Sequence, residues 1–140
     1  MNKRIRSGKS SELIVTGELI RHGVDVYLPC VDDQAIDLLL RAPDGVRYYE
    51  VQVKSIKGYN SIVGVKNAED LRGNYILIVH YRHDSKPDEF FYLTHKQIAH
   101  HHLKGSGWGD LVFNKPERER YAEQNLADLA KRILNGEDIS

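Results

Sequence analysis

The sequence predicts an α/β domain in which helices flank a mixed central β-sheet. Three observations carry that expectation. An amphipathic helical stretch lies near the start, the turn signal Pro43-Asp44-Gly45 separates two alternating runs, and Tyr75 to Tyr81 is a nearly unbroken apolar run rich in β-branched residues. The elements read in order as helix, three strands, helix, two strands and helices, which suits a layered α/β arrangement. With 140 residues, 41% hydrophobic and 29% charged, the chain is expected to form one soluble globular domain with a single core.

Composition removes several classes of function. Lysine plus arginine equals aspartate plus glutamate at 20 each, so net charge makes no case for a nucleic-acid partner, and any basic surface must be local. No apolar run reaches the ~18 residues that a membrane span needs, and no signal-peptide pattern opens the chain, so a cytoplasmic protein is expected. The lone cysteine, Cys30, has no partner in the chain and no zinc-type Cys/His spacing occurs.

Residues 1–9 carry Lys3, Arg4, Arg6 and Lys9 without hydrophobic periodicity. They are expected to be a flexible basic arm, either an idle terminus or one that grips phosphate, ahead of a single domain over 10–140. Ser10 or Ser11 supplies an N-cap for a helix to about His22, and Gly23 is its stop. Leu13, Gly17 and Ile20 fall at helical spacing as its core stripe. Glu12 then lies in the first turn, where the helix dipole alone would account for a carboxylate. Val24 to Pro29 alternates as a strand, and Asp32 and Asp33 follow in a polar loop as turn residues.

The next two runs hold the chemistry. Side chains alternate along a strand, so Tyr49, Val51 and Val53 point one way and Glu50, Gln52 and Lys54 the other. The run from Ala35 to Arg41 reaches Pro43-Asp44-Gly45 and pairs back as a hairpin. A two-residue loop sets Asp37 opposite Gln52, and a four-residue loop sets it opposite Glu50. Either register lets Asp37, Glu50, Gln52 and Lys54 converge, because opposed residues keep their Cβ atoms ~5 Å apart.

Ser55 to Lys66 reads as a mobile loop or a further hairpin. Lys57, Tyr59 and Lys66 there would meet a phosphate backbone, or simply be solvated. A short helix is expected over 67–73, a strand buried on both faces over 75–81, and another strand over 89–93. Thr94 or His95 caps a helix carrying His100, His101 and His102. Consecutive helical residues point ~100° apart, so these three cannot close on one metal and are expected at the surface. Trp108 is expected to pack over the core. A final helix over 117–134 buries Ala122, Leu126, Leu129, Ala130 and Ile133 and ends at Asn135-Gly136.

Glu12 on the first helix, Asp37 on a strand and Gln52-Val53-Lys54 on the next strand resemble the PD-(D/E)XK nuclease superfamily in a Gln-x-Lys variant. The pattern extends through Gly23-Val24-Asp25-Val26 with Pro29, Ile36-Asp37-Leu38 and Val51 to Ser55, and is similar to intron-associated homing endonucleases and to archaeal Holliday-junction resolvases. The resemblance covers about 10–95 and implies a restriction-endonuclease-like core, with a helical part over about 95–135. It further implies a Mg²⁺-dependent deoxyribonuclease, with Mn²⁺ as a substitute, that acts on DNA as a homodimer; the alternatives are a junction resolvase or an inactive DNA-binding module. Asp37 would anchor the metal, with Gln52, the Val53 carbonyl and Glu12 as further donors and Glu50 in reserve. Lys54 would orient the attacking water or stabilise phosphate charge. Arg4, Arg6, Lys9, Lys57, Tyr59 and Lys66 are the candidate DNA contacts. Most of the superfamily has a carboxylate where this chain has Gln52.

Overall fold

The computed structural model describes residues 1–30, 36–57, 62–65, 72–102 and 110–140, without the side chains of His102 and Asp110. Helix α1 (Lys3–Arg21) leads into β1 (Asp25–Tyr27), β2 (Leu38–Arg41) and β3 (Tyr48–Lys57). Then come β4 (Ile62–Gly64), β5 (Tyr75–Arg82), β6 (Glu89–Thr94), α2 (His95–His102), β7 (Asp110–Val112), α3 (Lys115–Arg120) and α4 (Leu126–Leu134). The main sheet runs β1-β2-β3-β5-β6 and is mixed, because β3 and β5 are parallel while their outer neighbours are antiparallel. The predicted α/β architecture with a mixed central sheet and flanking helices is therefore observed.

The sheet divides the expected single core in two. On one face, Val15 and Leu19 of α1 and Leu126, Leu129, Ala130 and Ile133 of α4 cover Tyr49, Val51, Val53, Ile76, Ile78 and Tyr92. On the other, Tyr75, Leu77, Val79, Phe91 and Leu93 are buried with Ile98 of α2, Val63 of β4 and Leu111, Phe113 and Tyr121. Burial on both sides explains why β5 reads as a continuous apolar run.

Several expectations change. The basic arm over 1–9 is the first two turns of α1: Asn2 caps it, its side chain accepting the Ile5 amide at 2.9 Å, and Lys and Arg are good helix formers even where no face is buried. Gly23 stops this helix at φ 95°, as expected. The buried stripe is Ser11, Val15 and Leu19, while Leu13 and Ile20 are 61% and 54% exposed. Both stripes satisfy helical spacing, and the serine disguises the buried one. The last helix is two, since Tyr121 turns into the core and the Asn125 side chain starts α4 by accepting the Asp128 amide at 2.9 Å. Ala122 falls in that turn and is exposed. Ile62–Gly64 pairs with β7, not with its sequence neighbours. Residues 67–71 of the expected helix over 67–73 and Trp108 lie outside the described residues, while Arg72 is not helical and Gly73 is in a turn. No helix among the described residues is long and apolar enough to cross a membrane.

Candidate active site

The β2–β3 hairpin decides which residues can meet. Asp44 accepts the Val46 and Arg47 amides at 2.9 and 3.0 Å, Gly45 adopts φ 72°, and the Ala42 amide donates to the Arg47 carbonyl at 2.8 Å. From this closure Leu40 pairs with Tyr49, Leu39 with Glu50 and Leu38 with Val51. Glu50 is thus opposite Leu39, and the register that would have faced it with Asp37 is excluded.

Asp37 immediately precedes β2, abreast of Val51 to Val53. Its amide donates to the Val51 carbonyl at 2.8 Å and its Oδ2 accepts the Val53 amide at 2.7 Å. Odd-numbered residues of β3 turn their main-chain groups toward β2, whereas the Glu50 amide turns the other way, to the Asn74 carbonyl at 3.1 Å. In an extended strand N–H and C=O of one residue point to the same edge, so the Val53 carbonyl shares the Asp37 side, beyond Leu38, the first residue of β2.

Gln52 and Lys54 share the sheet face that carries Tyr75. Gln52 is 8% exposed and its Oε1 accepts the Tyr75 hydroxyl at 2.5 Å. Burial, with the negative charges of Asp37 and Glu50, pushes the Tyr75 phenol well above its usual range, so it stays a donor. Glu50 is half-buried and bonded to the exposed Arg72 at 3.0 Å. Lys54 is half-buried on the same face.

Glu12 approaches from the other side. With α1 starting at Lys3, it lies in the third turn, so the helix dipole no longer accounts for it. It lines a cleft of about 450 Å³ with Asp37, Lys9, Ile36 and Pro29, and binds Lys9 at 3.0 Å. The structure therefore joins Glu12 to Asp37 in one cleft and Asp37 to Val53, with Gln52 and Lys54 on the adjoining face. Among the described residues, no three His, Cys, Asp or Glu side chains form a metal-binding group. Two carboxylates, one amide and one carbonyl would make an all-oxygen donor set, of the kind that suits a hard divalent cation.

The candidate DNA contacts divide. Arg4, Arg6 and Lys9 are exposed on the opening turns of α1, and Lys57 is bridged to Asp84 at 2.8 Å. Tyr59 and Lys66 lie outside the described residues, as do Asp32 and Asp33. His100 is exposed, while His101 is half-buried against the Tyr121 hydroxyl at 2.5 Å.

Three features had no sequence signal. Tyr75 and Arg72 reach the site only through the parallel β3–β5 pairing, which sets Tyr75 beside Glu50. Ser11 Oγ meets His80 Nδ1 at 2.7 Å, and His80 Nε2 meets Asp88 at 2.8 Å; Ser11 and His80 are buried, the His80 ring stacks on Phe90, and Asp88 is exposed. Burial works to raise the Asp88 carboxyl, but hydrogen bonds from His80 and the His83 amide hold it below its ordinary value. With Ser11 only 1% exposed, this serine is a tether and not a nucleophile.

No family model matches the chain, and no curated protein does. Among solved structures it is similar to the bacterial homing endonuclease I-Ssp6803I, with a TM-score of 0.51 and 18% identity over 68% of this chain and 71% of that one. At that identity the likeness is one of fold: the chain has the fold of a homing endonuclease.

Proposed function

We propose that this chain is a metal-dependent DNA endonuclease of the PD-(D/E)XK type, using Gln52-x-Lys54. The observation that carries this reading is the bond from the Val53 amide to Asp37 Oδ2, which sets a carboxylate against the middle residue of the Gln-x-Lys segment. Likeness of fold to a homing endonuclease supports it. Asp37, Gln52 Oε1 and the Val53 carbonyl would hold Mg²⁺ or Mn²⁺, with Glu12 reaching it directly or through water and Glu50 as a reserve donor. Such a cation supplies charge neutralisation at the phosphate and hydroxide near neutral pH. Lys54 orients the attacking water or stabilises charge developing on the phosphate. Arg4 and Arg6 offer cations to the backbone from the start of α1.

One site cuts one strand, so a homodimer related by a two-fold axis belongs to this reading. Sedimentation showing only monomer, with and without DNA, removes that part. The decisive experiment incubates the protein with supercoiled plasmid and with a four-way junction, each with Mg²⁺, Mn²⁺ or chelator. Chelator-sensitive cleavage of plasmid is expected; cleavage confined to the junction makes it a resolvase, and binding without cleavage makes it a DNA-binding module.

A further inference from the structure

Gln52 poses a chemical problem that a carboxylate would not. A carboxylate offers oxygen at both ends, whereas an amide offers oxygen at one and NH₂ at the other, and a cation is repelled by the second. Something must choose the end. The only side chain bonded to the Gln52 amide among the described residues is Tyr75, whose hydroxyl donates to Oε1 at 2.5 Å. Tyr75 is 4% exposed and opens β5, where the parallel ladder sets it beside Glu50. If the amide were reversed, its NH₂ would donate to the phenol oxygen. The buried hydroxyl proton would then lose this acceptor, which is unfavourable away from water.

We propose that Tyr75 is the positioning residue of the site: by donating to Gln52 Oε1 it fixes the amide so that the neutral side chain offers oxygen to a divalent cation. This rests on the nuclease reading above. An amide oxygen has two lone pairs, so accepting from Tyr75 leaves one for a second partner. Hydrogen bonds from outside a metal's own ligands commonly orient those ligands in this way. Glutamine can thus stand in a carboxylate's place, since the phenol supplies the orientation that symmetry gives a carboxylate at no cost.

Tyr75→Phe removes one oxygen and keeps the ring in the core, which makes it the direct test. Mn²⁺ binding, read by electron paramagnetic resonance and calorimetry without DNA, should weaken by about 10-fold or more. The same substitution made in a Gln52→Glu background should change affinity by less than ~2-fold, because either carboxylate oxygen serves. In the metal-free protein, the Gln52 side-chain amide resonances should shift and broaden in Tyr75→Phe. Equal Mn²⁺ affinity in Tyr75→Phe and the parent overturns the inference and leaves the nuclease reading standing. So does an equal loss in the Gln52→Glu background, which marks Tyr75 as merely structural, and so do unchanged amide resonances. If the parent binds no Mn²⁺, the nuclease reading and this inference fall together.

Discussion

Asp37 accepts the Val53 amide at 2.7 Å, while Glu50, two residues before Gln52 on β3, is paired with Leu39 and tied to Arg72. The carboxylate bonded to the main chain of the Gln-x-Lys segment is thus Asp37, just ahead of β2. Glu50→Gln should therefore weaken Mg²⁺ binding less than Asp37→Asn does, and Gln52→Ala should weaken it by about 10-fold or more by deleting a ligand. Calorimetric metal titration checks the order. Glu50→Gln as damaging as Asp37→Asn, with Gln52→Ala silent, would sink the assignment.

In the proposed function Lys54 acts in the chemical step and not in metal capture. Lys54→Ala should reduce turnover by ~10²-fold or more while Mn²⁺ and DNA affinities stay near those of the parent. Single-turnover cleavage at saturating metal is the measurement, and undiminished cleavage removes Lys54 from its role.

The hairpin that sets the register carries its own pH dependence. Hydrogen bonds from the Arg47 and Val46 amides, then the Arg47 side chain, hold the Asp44 carboxyl at about 2, against an ordinary 3.8. A depressed carboxyl stabilises the fold fully above its unfolded value, and that contribution fades as pH falls through the folded value. Asp44→Asn should therefore melt below the parent at neutral pH, with the gap closing between about 4 and about 2. A gap that persists at the acid end would contradict this.

The two stripes of α1 separate by denaturation. Leu19 is fully buried and Leu13 is 61% exposed, so Leu19→Ala should cost about 2–5 kcal/mol and Leu13→Ala no more than about 0.5 kcal/mol. Urea midpoints decide it, and equal losses would mean that Leu13 is covered in solution.

What the sequence revealed was whatever depends on near neighbours. The Pro43-Asp44-Gly45 turn and the alternation of Tyr49, Val51 and Val53 against Glu50, Gln52 and Lys54 are local, and the structure has both. Two registers stayed open because two turn lengths fit that turn signal equally well. The start of α1 was hidden because an exposed, basic helix has no apolar period, so only the Asn2 cap marks it. Tyr75 and Arg72 were illegible for a different reason: a parallel pairing joins strands through a long crossover, and nothing in either strand names its partner. Ser11 was likewise concealed, since its buried partner His80 lies 69 residues away.

That serine has a mechanical consequence. The buried side chains of α1 are Ser11, Val15 and Leu19, so the helix is anchored to the core from Ser11 onward, while Ile5 and Gly8 of its first two turns only line the cleft that Asp37 shares. Lys3 stands eight residues before Ser11, about 12 Å along the axis at 1.5 Å per residue. Glu12 lies just inside the anchored span. If Arg4 or Arg6 meets a charged strand, as the proposed function has it, the load falls ahead of Ser11, and the anchored span would hold Glu12 in the cleft it shares with Asp37.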